Sequence, residues 1–337
     1  MKALVCTTPH QFDYTVAPMP VAGEGETLLK IERIGICGTD LHAYEGTQPY
    51  FNYPRILGHE LAATIVETKA VGFTAGDKVT IIPYMHCGAC IACKKGKQNC
   101  CVNMQVFGVH IDGGMREFVT VPDTALVKSG GLSLDELALV EPLAIGAHAI
   151  KRANIVPNEF VLVMGAGPIG IGIAAFAKIA GAQVILIDVN DSRLDFCKNL
   201  LDIKHTINPL TQNVVDACKL ITHNDMPTVV MDATGNLNAI NYAFAYLAHG
   251  GRYVLVGLQK EHISFSHPEF HKREATLMSS RNANSQDFNY VIDCIKKGLV
   301  KPSSLITHKV SFSEVSEHFE SWLNPATGVV KAMVVFE

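Results

Sequence analysis

The sequence predicts an α/β protein of two domains, a β-rich first half followed by a doubly wound parallel sheet. Two observations carry that reading. Through the first 125 residues, short β segments (26–34, 61–68, 77–82 and 117–121) alternate with Gly and Pro turns. From Phe160 the apolar runs 160–164, 184–188, 229–233, 252–257 and 276–280 alternate with helical stretches. Strands separated by helices form a parallel sheet covered on both faces. The length of 337 residues accommodates two or three domains at about 150 residues each. Beyond Arg281 come a helix over 286–297, a Lys301-Pro302 turn, a helix over 314–323 and a strand over 331–336. This tail is too short for its own core, so it is expected to return to the β-rich part. The expected division is 1–146 for the first domain, 147–281 for the second and 282–337 for the returning segment.

Composition narrows the partners. Lys and Arg total 28 against 32 Asp and Glu, a net charge of −4. That leaves no basic excess to neutralise nucleic acid or anionic lipid, and a small molecule is the expected partner. Residues 160–177 form an uncharged stretch of 18, the lower limit for a membrane span. Gly165, Gly167, Pro168, Gly170 and Gly172 would break such a helix near its start, whereas a buried strand, tight turn and helix need them there. Residues 1–20 read as a strand and turn, not a targeting signal, and the expected location is the cytoplasm.

The glycines have their own chemistry. Residues 160–164 feed directly into Gly165-Ala-Gly167-Pro168-Ile169-Gly170, and an Ala-rich helix follows. In a strand–turn–helix setting, Gly165 permits the turn, Gly167 lets backbone approach a pyrophosphate, and Gly170 lets helix and strand pack closely. The helix N-terminus then offers N–H donors and a positive dipole end to phosphates. Asp188 ends the next strand 18 residues after Gly170, near the roughly 20 expected for an acid bonding the ribose hydroxyls. It favours NAD by repelling a 2′-phosphate. Arg193 lies close enough in sequence to serve NADP instead, although the surface of the next helix accounts for it as well.

Ten cysteines are too few for a disulfide scaffold. Cys87, Cys90, Cys93 and Cys101 fall within fifteen residues, a spacing that suits a closed tetrahedral zinc site in a lobe over about 84–104. Cys100 competes with Cys101 on count alone. An iron–sulfur cluster is the rival reading, although such runs place the next cysteine sooner and follow it with proline. Cys37, His59, Glu60 and Glu141 are dispersed, and nothing in composition joins them.

Taken in order, the motifs Gly-Ile-Cys37-Gly-Thr39-Asp40-x-His42, Gly58-His59-Glu60, the four-cysteine lobe, Glu141-Pro142 and the glycine loop ending at Asp188 resemble those of the zinc-containing medium-chain dehydrogenases. The resemblance implies a GroES-like catalytic domain, a Rossmann domain, NAD and two zinc ions per chain, one catalytic and one structural. It places the catalytic zinc on Cys37 and His59, with Glu60 as the favoured third ligand and Glu141 as an exchanging or supporting carboxylate. It assigns Thr39, the cofactor ribose and His42 to a proton relay. Glu60 points to the polyol and sugar-acid branch, which includes the sorbitol, L-threonine, L-idonate and L-galactonate dehydrogenases. Residues 107–114, 279–283, 301–302 and 306–308 look most like its L-galactonate, or starvation-sensing, subgroup. Relatives assemble as dimers or tetramers, with 244–265 as the candidate edge. Arg116, His110 and Arg281 are the cations available to a substrate carboxylate, although a structural role accounts for each of them better, for Arg116 a pairing with Glu117 or Asp112 at its turn. A non-catalytic NAD-binding sensor of the same fold is the rival from another class, and the full set of metal ligands argues against it.

Overall fold

The computed structural model describes residues 1–49 and 51–337. It divides into two compact units, Met1–Pro142 with Ala283–Glu337, and Leu143–Asn282.

In the first unit the strand Glu26–Gly35 is the spine. One edge pairs antiparallel with Glu60–Glu67. The other is shared, its first half with Phe118–Pro122 and its last residues with Lys331–Val335. The sheet extends outward through Lys78–Ile81 and Leu126–Lys128 on one side and Ile306–Ser311 on the other. Leu29, Ile31, Ile34, Leu61, Val79, Ile81, Val119 and Val334 are buried in the resulting core. A strand buried along both edges must take partners wherever the chain supplies them, and here the last residues of the chain supply three. Gly35 is thereby paired with Glu60 on one side and Met333 on the other.

The helix expected over 314–323 is broken. It runs as a 3₁₀ turn Phe312–Glu314, one α turn Val315–His318 and a second 3₁₀ stretch Phe319–Leu323. Phe312, Val315, Phe319 and Trp322 all turn inward, and Phe319 meets Phe12 edge-on at 4.9 Å. Short 3₁₀ segments bring apolar residues spaced three apart onto one line, so packing overrides an unbroken α-helix.

In the second unit six parallel strands run in the order His205–Ile207, Gln183–Ile187, Phe160–Met164, Val229–Asp232, Arg252–Leu255, Thr276–Ser279. In sequence terms this is 3-2-1-4-5-6, the doubly wound dinucleotide-binding order. The short His205–Ile207 strand carries too little apolar pattern to be found from sequence. Thr276–Ser279, rather than any strand within 244–265, forms one sheet edge. Phe244 and Phe265 instead stack on each other at 4.5 Å, and Phe270 packs against both.

The Arg252 guanidinium clasps both oxygens of Glu159 at 2.7 Å. Burial alone would raise the Glu159 pKa, but the Val156 N–H, Arg252 and Thr228 bonds outweigh it and hold the carboxyl below its ordinary value. A depressed acid contributes stability that is complete above the ordinary glutamate range and is lost as pH falls through the lowered folded value. Glu159→Gln is therefore expected to cost ~1–2 kcal/mol near neutral pH and progressively less in acid. Urea unfolding of both proteins at about pH 7 and about pH 3 checks this; a cost that does not change with pH would remove the ion pair as its source.

Candidate active site and metal centres

Cys37 leaves the end of the Glu26–Gly35 strand and caps the helix Gly38–Glu45. Asp40, one turn in, is 1% exposed and organises its surroundings. Its Oδ2 accepts the Cys37 N–H at 2.9 Å, and its Oδ1 accepts the Gly58 N–H at 3.0 Å. The same Oδ1 stands 3.6 Å from Nδ1 of buried His59. One carboxylate thus ties two loops far apart in the chain. The result is that ligand atoms of Cys37, His59 and Glu60 lie within 4.8 Å of one another.

These residues suit a cation. His59 Nδ1 is buried without a hydrogen-bond partner among the described residues. Burial lowers the His59 pKa, yet Asp40 first and then Cys37 lift it well above the ordinary range, so the surroundings strongly favour positive charge there. With the Nδ1 edge turned to Asp40, Nε2 is the nitrogen left for a metal, the carboxylate–histidine–metal arrangement.

Glu141, in the first turn of the helix Val140–Ala153, lies outside the 4.8 Å group. The Tyr84 hydroxyl donates to its Oε1. Burial first, with Glu60 adding to it, raises Glu141 to about 7 despite the opposing pull of His59 and the Tyr84 bond. Glu60 is fully buried and receives Lys331 Nζ on both oxygens, at 2.7 and 2.8 Å. Asp40, Tyr84 and Lys331 were assigned no role from sequence. The signal for Asp40 was its place three residues after Cys37, a capping-box spacing, and for Lys331 a lone charge opening an apolar strand.

Thr39 and His42 sit three apart on the Gly38–Glu45 helix, hence on neighbouring positions of one face. The His42 side chain is 62% exposed, and its Nδ1 lies 3.1 Å from Thr47 Oγ1. The Arg116 guanidinium is turned to its own loop, with Nε donating to the Gly113 carbonyl at 3.0 Å, and His110 Nδ1 accepts the Val106 N–H. Both are committed to shaping the 106–116 turn.

The lobe brings Cys87, Cys90, Cys93 and Cys101 together, and Cys100 points outward. Sulfur separations are 3.5 Å for Cys90 to Cys93, 3.9 Å for Cys90 to Cys101 and 3.5 Å for Cys101 to Cys87. A tetrahedron with bonds of about 2.3 Å has edges of about 3.8 Å, so the four thiols have zinc spacing. The Cys93 and Val102 N–H groups pull the Cys90 thiol down to about 6, while burial pushes its neighbour Cys93 up to about 12.

In the second unit Gly165 has φ +99° and donates its N–H to the Ile187 carbonyl at 2.7 Å. A Cβ on Gly170 would come 1.8 Å from the Gly165 carbonyl oxygen, which excludes any side chain there. A Cβ on Gly167 would meet no described atom within 4 Å, so the open space ahead of this residue is free for phosphate. Pro168 and Ile169 start the helix Pro168–Ile179 with Gly167 as its cap. Asp188 accepts the Ala166 N–H at 2.7 Å and the Asn190 N–H at 2.8 Å, locking the glycine loop to the next strand end. Arg193 lies on the helix Asp191–Leu201, whose cap Asn190 accepts its N–H.

Residues 23–131 match the alcohol dehydrogenase GroES-like domain, and 168–297 match the zinc-binding dehydrogenase domain. The whole chain is 39% identical to L-galactonate-5-dehydrogenase of Escherichia coli K12, across 99% of that protein. The chain belongs to the zinc-binding medium-chain dehydrogenases. This dehydrogenase is also 31% identical to the sorbitol dehydrogenase of Bacillus subtilis, over 99% of this chain and 97% of that one. Its fold matches the crystal structure of the RspB alcohol dehydrogenase from Escherichia coli CFT073 in complex with NADH. There the TM-score is 0.92 and the identity 30%, over 100% of this chain and 99% of the other. No helix among the described residues is long and apolar enough to cross a membrane.

Proposed function

We propose that this dehydrogenase moves a hydride between NAD and a secondary alcohol of a sugar acid or polyol, with an L-galactonate- or L-idonate-like hexonate as the leading substrate. The observation that carries this reading is the convergence of Cys37, His59 and Glu60 within 4.8 Å. Similarity to the L-galactonate and sorbitol enzymes supports the substrate class, and similarity to the NADH-bound RspB protein supports the cofactor. Cys37, His59 and Glu60 would hold one zinc, with Glu141 beside them, and the four lobe cysteines would hold a second. The catalytic zinc, when bound, supplies Lewis-acid polarisation of the substrate hydroxyl.

The chain's own residues do the remaining work. Asp40 fixes Cys37 and His59 in place, and Tyr84 orients the Glu141 carboxylate. The Thr39 hydroxyl and the exposed His42 imidazole pass the substrate proton outward. The unit Met1–Pro142 with Ala283–Glu337 serves as the catalytic domain, and Leu143–Asn282 holds the cofactor through Gly165, Gly167, Gly170 and Asp188. The protein works in the cytoplasm as a homodimer or homotetramer.

Two zincs per chain by elemental analysis, with NAD reduction fastest on hexonates among hexonates, polyols and L-threonine, is the expected outcome. Equal rates on sorbitol and the hexonates would refute the sugar-acid assignment. Because Asp188 both meets the ribose and locks the glycine loop, Asp188→Ser is expected to raise KM for NAD ~10- to 100-fold and to narrow the preference over NADP. Steady-state kinetics with both cofactors measures it, and an unchanged cofactor ratio would discard the role of Asp188 in selection.

A further inference from the structure

Lys331 opens the strand Lys331–Val335 and is 2% exposed. An ammonium carries three N–H donors, and here each has a partner. One goes to the Ile36 carbonyl at 3.0 Å, the others to Oε1 and Oε2 of Glu60 at 2.7 and 2.8 Å. Space for this arrangement comes from Gly35, where a Cβ would lie 2.1 Å from Glu60 Oε2. A buried cation is costly unless paired, and the acid paired with it is one of three residues grouped at metal-binding distance. Any metal that takes Glu60 must therefore share a carboxylate already held by both oxygens. Cys37 and the buried acids Asp40, Glu60 and Glu141 gather negative charge around this position, and Lys331 offsets part of it; without Lys331 the same group would grip a cation harder.

We propose that Lys331 is a positioning residue that competes with the catalytic metal for Glu60, keeping this carboxylate a weak and releasable ligand. The inference rests on the proposed catalytic zinc at Cys37, His59 and Glu60. It gives the C-terminal strand a role in the reaction: it delivers, from 271 positions along the chain, the charge that keeps a ligand position exchangeable.

The test measures zinc release from the fully loaded enzyme to a chromogenic chelator. The catalytic phase is identified as the one missing from Cys37→Ser. Lys331→Met is expected to slow that phase about tenfold while lowering kcat, and Lys331→Arg to restore the original rate. In a Glu60→Gln background, Lys331→Met should leave release unchanged. Cobalt substitution gives a second readout, since firmer Glu60 ligation in Lys331→Met shifts the visible d–d bands and Glu60→Gln abolishes that shift. Should Lys331→Met fail to fold, Lys331→Gln carries the same expectation, because it removes the charge and keeps a donor for Ile36. Release that is unchanged or faster in the single variants, or equally slowed without Glu60, overturns the proposal and leaves Lys331 a purely structural ion pair. Two zincs retained in Cys37→Ser would overturn the reading of the site itself; one zinc lost there, with no effect at Lys331, overturns this inference alone.

Discussion

Replacing His59 with alanine is expected to leave one zinc per chain in place of two and to lower kcat by three orders of magnitude or more. The size follows from the loss of Lewis-acid stabilisation worth several kcal/mol, each ~1.4 kcal/mol being a factor of ten in rate. The loss should be confined to the chemistry. His59 is held from one side by Asp40, and its removal leaves the Asp40 bonds to the Cys37 and Gly58 N–H groups intact. Far-ultraviolet circular dichroism and NAD affinity are accordingly expected to match the parent protein. Metal analysis beside single-turnover kinetics decides the matter. A variant with both zincs and near-normal turnover would show that Cys37, His59 and Glu60 converge for another reason.

The second large effect belongs to the lobe. Cys93→Ser removes the most buried sulfur after Cys101 from the four-thiol group. Few apolar side chains hold this segment: Ile91 and Val102 are 65% and 70% exposed. Its regular structure amounts to the four-residue helix Ile91–Lys94, the 3₁₀ turn Gln98–Cys100 and the two-residue pair of Tyr84–Met85 with Gln105–Val106. A segment so short of core depends on its metal, and structural zinc contributes apparent binding energies of about 10–16 kcal/mol in small domains. Cys93→Ser is expected to lose at least ~3 kcal/mol of stability and to expose residues 87–101 to proteolysis. Strong chelation of the parent protein should reproduce both effects. Thermal melting and limited proteolysis measure them; an unaltered melting temperature and cleavage pattern would remove the zinc staple.

The parallel sheet was readable because buried strands between helices show themselves as uninterrupted apolar runs, and Phe160–Met164 falls on the residues predicted. Short elements were not readable: His205–Ile207 and the broken 312–323 stretch take their form from neighbours, not from local pattern. The lobe spacing favoured Cys101 and left Cys100 a competitor by count alone, and the folded loop gathers Cys101 with the other three thiols while Cys100 is exposed. Arg116 was legible as a turn residue: a cation directly after Gly113-Gly114 reads chiefly as part of its own turn, and its guanidinium donates to the Gly113 carbonyl.

By itself the sequence determined the class of fold, the nucleotide loop and the identity of the thiols, because each depends on residues close together in the chain whose spacing is their geometry. Tertiary structure alone decided how the dispersed residues act together. Asp40 couples the Cys37 and His59 loops, Tyr84 reaches Glu141, and Lys331 closes on Glu60. Those relations depend on strand order. The last strand lies beside Glu26–Gly35 because an unfilled edge of a buried sheet requires hydrogen bonds, and the charge it carries is delivered by that pairing.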